Sequence, residues 1–308
     1  MKIYTLNVNG FRGADKGPKE YVNEKTLTAN LFALKAMVDS LRCDDDDLII
    51  LQEIPHKIWD KSIRPGRWKN NPFHQKFHDM FEEQYKVIVP NHLISSVQCT
   101  VALCTINSRW NRIGVEHEKL VYDEQYSYGN KLLELRYNDE ITLLGLHITE
   151  DKIWKMVLDA CNMRKHTFIV GDFNAYESRG SMKKKPQELR KAGYYSCIPN
   201  NVITDYKYNS SIDNIYIDSN FEIKNTMSIS VKKLDEFETD HALCGLEIHK
   251  DTFPQACIAL GDDDATEEET EDFLDGKLSD SEELDYLYSV MLSNVDEDDQ
   301  GEVFDKDN

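Results

Sequence analysis

The chain has 308 residues, 40% of them apolar, with 56 acidic and 36 basic side chains and a formal net charge of −20. That allows one large domain or two small ones with a sizeable core. No run approaches the ~20 apolar residues of a membrane span, and the opening Met1-Lys2-Ile3-Tyr4-Thr5-Leu6 reads as a strand rather than a signal peptide, so a cytoplasmic location is expected.

Seven scattered cysteines, odd in number and without a Cys-x-x-Cys pair, argue against a disulfide framework or a zinc site. The charge is unevenly spread. Residues 256–308 hold 20 of the 56 acids but only Lys277 and Lys306 of the 36 bases, so residues 1–255 carry 36 acids against 34 bases. A nearly neutral body can still bind a polyanion through a local basic patch.

In chain order, a strand over Lys2–Asn7 runs into the polar turn Asn7-Val8-Asn9-Gly10. Leu27, Leu31, Leu34 and Val38 or Leu41 then recur at helical spacing and predict an amphipathic helix over 25–41. After Asp44 to Asp47, Leu48-Ile49-Ile50-Leu51-Gln52-Glu53 is a second buried strand that also ends in a carboxylate. The β, α, β alternation with short connections says α/β.

Cations interleaved with aromatics follow, from His56 through Trp59, Arg64, Arg67, Trp68, Lys69 and Phe73 to His78. Such a stretch either grips phosphates and stacks bases or forms a solvated loop with its tryptophans packed beneath. Strands are predicted at 85–90, 97–106, 132–137 and 141–148, and a helix at 152–163.

His166-Thr167-Phe168-Ile169-Val170 is a β-branched, apolar run that ends in Gly171-Asp172-Phe173-Asn174, at the strand end where open α/β sheets present polar groups to ligands. A carboxylate beside a neutral amide suits a site that holds a hard cation and orients a phosphate. The segment 181–192 carries Lys183, Lys184, Lys185, Arg190 and Lys191, a second basic patch or a solvated helix face. Strands are then predicted over 211–217, with Asp213 inside, over 221–231, and over 242–248, the last preceded by Thr239-Asp240-His241. So many strands with flanking helices point to two stacked sheets.

The order and spacing of Asn7-Val8-Asn9-Gly10, Leu51-Gln52-Glu53, Gly171-Asp172-Phe173-Asn174, Ile212-Asp213-Asn214-Ile215 and Thr239-Asp240-His241 resemble the endonuclease/exonuclease/phosphatase superfamily, across roughly residues 1–250. The resemblance implies a four-layer α/β/β/α sandwich of two packed mixed sheets with outer helices, bearing a Mg²⁺-dependent phosphate-ester hydrolase site, with Mn²⁺ as the alternative ion. It implies Glu53 as principal metal ligand with Asn7 and Asp240 near the ion, and Asp172 as activator of the attacking water. It further implies Asn174 on a phosphate oxygen, His241 at the scissile phosphate oriented by Asp213, and His147 as the second histidine. Phosphoryl transfer is catalysed mainly by positioning and charge neutralisation, for which these groups are suited.

A nuclease acting on DNA or RNA is the expected activity, with Asn9, Arg64, Arg67, Lys69, Lys183, Lys184 and Lys185 as candidate substrate contacts. A phosphatase or small-molecule phosphodiesterase is the alternative, and a non-catalytic binding module the third reading. Leu146-His147-Ile148-Thr149 stands where apurinic endonucleases usually carry an Asn-x-Tyr-x-Pro-Asn-like element, and Ile212-Asp213-Asn214 departs from the Cys-Asp-Arg-like element of inositol phosphatases. Residues 1–255 are thus expected to form the catalytic domain and 256–308 an acidic, mostly disordered tail. Within the tail, Leu284, Leu287, Tyr288, Met291, Leu292 and Val295 predict a short amphipathic helix over 281–295, for a protein partner or for docking on the body.

Overall fold

The computed structural model describes residues 1–11, 24–55, 57–59, 68–70, 72–90, 98–113, 131–138, 141–163, 165–175, 185–222, 226–235 and 237–249. The acidic segment 256–308 and its expected helix, with Arg64, Arg67, Lys183 and Lys184, lie outside them. All described residues but His249 belong to one unit, Met1–Ile248. No helix among them is long and apolar enough to cross a membrane.

The first six-stranded sheet has at its centre β1 (Lys2–Asn7) parallel to β2 (Leu48–Pro55). On the β1 side lie β14 (Leu243–His249), antiparallel to it, and then β13 (Thr226–Lys232). On the β2 side lie β6 (Gln98–Thr105) and β5 (Tyr85–Ile88), each antiparallel to its neighbour. The second sheet repeats the plan. Its parallel pair is β9 (Ile141–His147) with β10 (Phe168–Asp172). Antiparallel neighbours are β12 (Asp213–Asp218) and β11 (Tyr194–Ser196) on one side, β8 (Leu132–Tyr137) and β7 (Trp110–Arg112) on the other. Two short strands, β3 (Lys57–Trp59) and β4 (Trp68–Asn70), the latter with Lys69, pair antiparallel as a separate two-stranded sheet.

Period-two alternation sorts the apolar residues into layers. Ile3, Leu48, Ile50, Ala102, Leu133, Leu143, Phe168, Val170 and Ile215 meet between the sheets. Leu6, Ile49, Leu51, Val101 and Leu103 face outward and are covered by α1 (Glu24–Ser40) and α2 (Pro72–Phe81). Leu144, Leu146, Ile169 and Tyr216 face the opposite way, beneath α3 (Asp151–Met163) and α4 (Lys185–Lys191). The result is the expected four-layer α/β/β/α sandwich.

Two segments differ from the sequence reading. The stretch of cations and aromatics is not a loop throughout: its end is α2, started by Pro72, which suits a first helical position. Phe77 and Phe81 of α2 are buried, Phe77 edge-on to Phe11 at 6.5 Å between centroids. The strand expected from Phe221 starts only at Thr226, because Asp218 accepts the Asn220 N–H and turns the chain into the one-turn helix α5 (Ser219–Glu222). Phe221 then packs edge-on against Phe168 at 5.1 Å.

Gly171 is fixed by sterics. At φ 146° its Cβ would lie 2.0 Å from the Leu146 carbonyl oxygen of β9, so only glycine lets β10 approach there. At Gly145 a Cβ would meet the buried Ile50 Cγ2 at 3.1 Å, too close by only a few tenths of an ångström. Gly171→Ala should therefore lower unfolding free energy by about 3 kcal/mol or more and Gly145→Ala by about 1 kcal/mol, measured by urea denaturation.

Candidate active site

The two-sheet plan brings the polar residues together. The C-terminal ends of the parallel strands β1, β2, β9 and β10 carry Asn7, Glu53, His147 and Asp172. The strands flanking them run the other way, so the same end receives the start of β12 with Asp213, the approach to β14 with Asp240 and His241, the start of β6 with Gln98, and Lys131 just before β8. Inner-face rows thus change from apolar to polar along each strand: Ile3, Thr5, Asn7 on β1, and Phe168, Val170, Asp172 on β10.

Glu53 reaches this layer through a backbone irregularity. The β2–β6 register shifts between Leu51 and Ile54, with one extra residue on β2, and Glu53 has φ 61°. The bulge turns both Gln52 and Glu53 towards the other sheet. Gln52 donates to Thr5 Oγ1 at 2.9 Å, and Glu53 Oε1 lies 3.7 Å from His147 Nε2.

Asp172, 1% exposed, accepts the Asn7 amide (2.9 Å) on Oδ2 and the Asn174 backbone N–H (2.9 Å) on Oδ1. Asn7 Oδ1 accepts the Asn9 N–H, so Asn9 holds Asn7 in place through its backbone. Burial, and then the Asp213 carboxylate, holds the Asp172 pKa well above the usual carboxylate range, against the lowering effects of His241, Asn7 and Asn174. Asp213 Oδ2 pairs with His241 Nδ1 at 2.8 Å. Burial alone would lower the His241 pKa, but Asp213, its hydrogen bond, Asp172 and Asp240 together raise it to about 10.

Two further groups belong to the site and left no signal in the sequence beyond their positions beside strands. Gln98 donates to Glu53 Oε2 at 2.8 Å. The Lys131 ammonium, in a residue only 8% exposed, lies 3.2 Å from His147 Nδ1. An ammonium only donates, so His147 Nδ1 accepts and its proton sits on Nε2, which faces Glu53 Oε1 at 3.7 Å and Asp172 Oδ2 at 3.6 Å. These gaps exceed a hydrogen bond. Lys185, by contrast, sits in α4 and faces Glu188 at 4.0 Å, an ordinary surface pairing.

The donor set fits a divalent cation. Among the described residues, the carboxyl groups of Glu53, Asp172, Asp205, Asp213 and Asp240 outnumber the basic side chains of Lys131, His147 and His241 at this end of the layer. Asp213 Oδ1 and Asp240 Oδ1 are buried without a hydrogen-bond partner. Ligand atoms of Asp172, Asp213 and His241 lie within 4.8 Å of one another, a group that could hold a metal ion, with His241 Nδ1 already paired to Asp213. Glu53, Asn7 and Asp240 add further oxygen atoms at the same end of the layer.

No family model and no curated protein sequence matches the chain. Solved structures do. An endonuclease/exonuclease/phosphatase family protein from Leptotrichia buccalis superposes with a TM-score of 0.54 at 14% identity, over 81% of this chain and 100% of that one. The catalytic domain of Xenopus laevis APE2 gives 0.49 at 14% identity, over 80% and 91%, and the human Nocturnin catalytic domain 0.44 at 11%, over 81% and 93%. The chain has the endonuclease/exonuclease/phosphatase fold.

The two shifted groups set a pH dependence. Asp172 ionises at a higher pH folded than unfolded, and so does His241, so the unfolded chain holds fewer protons at each group. Stability falls as pH rises from ~4 through the Asp172 transition, and falls again between ~6.5 and about 10 as His241 loses its proton. In chelator, the melting temperature should decline from pH 5 to pH 9, and Asp172→Asn should flatten the lower part of that decline, by differential scanning calorimetry.

Proposed function

We propose that the chain is a divalent-metal-dependent phosphodiesterase that cleaves nucleic acid. The observation that carries this is the excess of buried carboxylate around Asp172, beside amides and a protonated histidine, at the end of a sandwich of this fold. Glu53, Asn7 and Asp240 would hold Mg²⁺ or Mn²⁺, which when bound supplies charge neutralisation at phosphate oxygens.

The chain's own groups do the rest. Asp172, fixed by the Asn7 amide and the Asn174 N–H, takes a proton from the attacking water at a carboxylate oxygen. His241, held by Asp213, donates from Nε2 to a non-bridging phosphate oxygen and carries positive charge at neutral pH. The Asn174 side chain donates to a second oxygen. As the water oxygen bonds to phosphorus, the bond to the leaving oxygen breaks; His147, with Lys131 on Nδ1, offers that oxygen a hydrogen bond from Nε2–H, and the departing oxygen takes its proton from solvent. Glu53 is held in place by Gln98. The cytoplasm is the proposed place of action, which suits the six free thiols among the described residues.

Single-stranded DNA, plasmid DNA, RNA and a phosphate monoester, each tested with Mg²⁺, Mn²⁺ and chelator, decide the reading. Metal-dependent cleavage of at least one nucleic acid is expected, and Asp172→Asn and His241→Ala should each reduce kcat by about 10²- to 10⁴-fold while circular dichroism stays native-like. Cleavage of the monoester alone would establish a phosphatase instead. Binding of nucleic acid without cleavage in any metal would leave only a binding module.

A further inference from the structure

Asp213 and His241 make their 2.8 Å contact across the gap between the two sheets. Asp213 opens β12, which is paired to β10, whereas His241 leads into β14, which is paired to β1. No ladder among the described strands joins β12 to β14, so neither sheet sets the spacing between the two side chains. The β10–β12 register fixes Asp213 against Asp172 but not against His241. Something else must tie the backbone of one partner to the backbone of the other.

A hairpin over residues 204–210 does so. It is closed by Asp205 N–H to Ser210 O (2.8 Å) and Ser210 N–H to Asp205 O (3.1 Å). Its first arm runs antiparallel to the approach to β14, with Asp205 opposite His241. Ala242 N–H donates to Thr204 O and Tyr206 N–H donates to Asp240 O, each at 2.8 Å, so His241 is held through both of its chain neighbours. The start of β12 is fastened to the same residue. Thr204 Oγ1 accepts the N–H groups of Ile212 and Asp213, each at 2.9 Å.

Thr204 is fully buried, at 0% exposed, so no bulk water can replace its oxygen. A hydroxyl oxygen has two acceptor sites, and both are used here. Valine would fill nearly the same space. What the hydroxyl adds is therefore the pair of bonds to the strand that carries Asp213, while the carbonyl of the same residue serves the segment that carries His241.

We propose that Thr204 is a positioning residue for the Asp213–His241 pair, spanning the two sheets so that Asp213 keeps His241 aimed at the phosphate. For its effect on turnover the proposal rests on the phosphodiesterase reading. Without the hydroxyl, the Ile212 and Asp213 N–H groups lose their acceptor and the start of β12 shifts to find another. A displacement of about 1 Å in a group that meets the transition state can cost on the order of 10²-fold in rate. The Asn174 contact to phosphate is left in place, so the loss falls on kcat and not on KM.

The test compares the full chain with Thr204→Val, which keeps the shape, and Thr204→Ser, which keeps the oxygen, in Mg²⁺ on the nucleic acid that the wild type cleaves fastest. Thr204→Val should lower kcat by about 10- to 100-fold with KM changed less than about threefold, and Thr204→Ser should bring kcat back to within about threefold of the wild type. A second readout needs no substrate. The His241 Nδ1 proton, bonded to a buried carboxylate, gives a strongly deshielded NMR resonance that is assigned by its loss in His241→Gln. It should persist in Thr204→Ser and move upfield or vanish in Thr204→Val while circular dichroism stays native-like. An unchanged kcat or an unchanged resonance in Thr204→Val would overturn the proposal, whatever happens to the melting temperature. So would a Thr204→Ser protein as impaired as Thr204→Val. If Thr204→Val does not fold, Thr204→Cys, whose sulfur is only a weak acceptor, is judged by the same criteria. If no nucleic acid is cleaved, the phosphodiesterase reading fails and the resonance alone decides the positioning role.

Discussion

The constraint on which the structure depends is the burial of several carboxylates at one end of an otherwise apolar layer between two sheets. An unpaired buried charge is expensive, so each must be met by a donor that the fold itself delivers. The topology does this. A central parallel pair flanked by antiparallel strands places two C-terminal ends and two N-terminal ends of each sheet on one edge, and the two sheets stack so that these edges face each other. Asp172 from one sheet then receives the Asn7 amide from the other, and Glu53 faces His147 across the layer. The donors cover both Asp172 oxygens, yet burial and then the neighbouring Asp213 carboxylate keep a proton on Asp172 at pH values where an ordinary aspartate would have lost it.

Two backbone departures follow from the same constraint. With regular alternation Glu53 would point outward with Leu51, into the layer beneath α1 and α2. One extra residue in β2 and a left-handed φ at Glu53 reverse it, a conformation that costs a non-glycine residue about 1–3 kcal/mol. The cost is offset locally, since the ladder resumes at Ile54 and Gln98 holds the carboxylate. Gly171 is the counterpart in the second sheet, where close approach to Leu146 brings Asp172 level with His147 in the β9–β10 register. Preorganisation of the site is therefore stored in backbone geometry as well as in side-chain contacts.

Much of this was legible in the sequence because buried strands announce themselves. Lys2–Asn7 and Leu132–Tyr137 match their predicted bounds, and the apolar run before Gly171 gave β10. Asp172, Asp213 and His241 could be placed together only because their motifs, each weak alone, stand in the order and spacing that resemble one superfamily. Gln98 and Lys131 could not, since a lone glutamine or lysine before a strand carries no local signal and acquires its role only when the antiparallel neighbour is known. Phe221 was misread for a related reason. Its β-forming character is local, whereas the Asp218 cap comes from the end of the preceding strand and the ring of Phe168 from another strand.

The ends of β10 and β12 carry opposite chemistry on their two sides, and period-two alternation is what separates them. Asp172 and Asp213 face the charged layer, while Phe173, Tyr216 and the flanks of Asn214 face a cleft with amides and one guanidinium. Asn214 itself is spent on the loop before β12, accepting the Ile198 N–H and donating to Ser196 Oγ, so it is a brace. The 204–210 hairpin is hydrogen-bonded to Asp240 and Ala242, so the cleft wall and the backbone on either side of His241 are braced as one ladder.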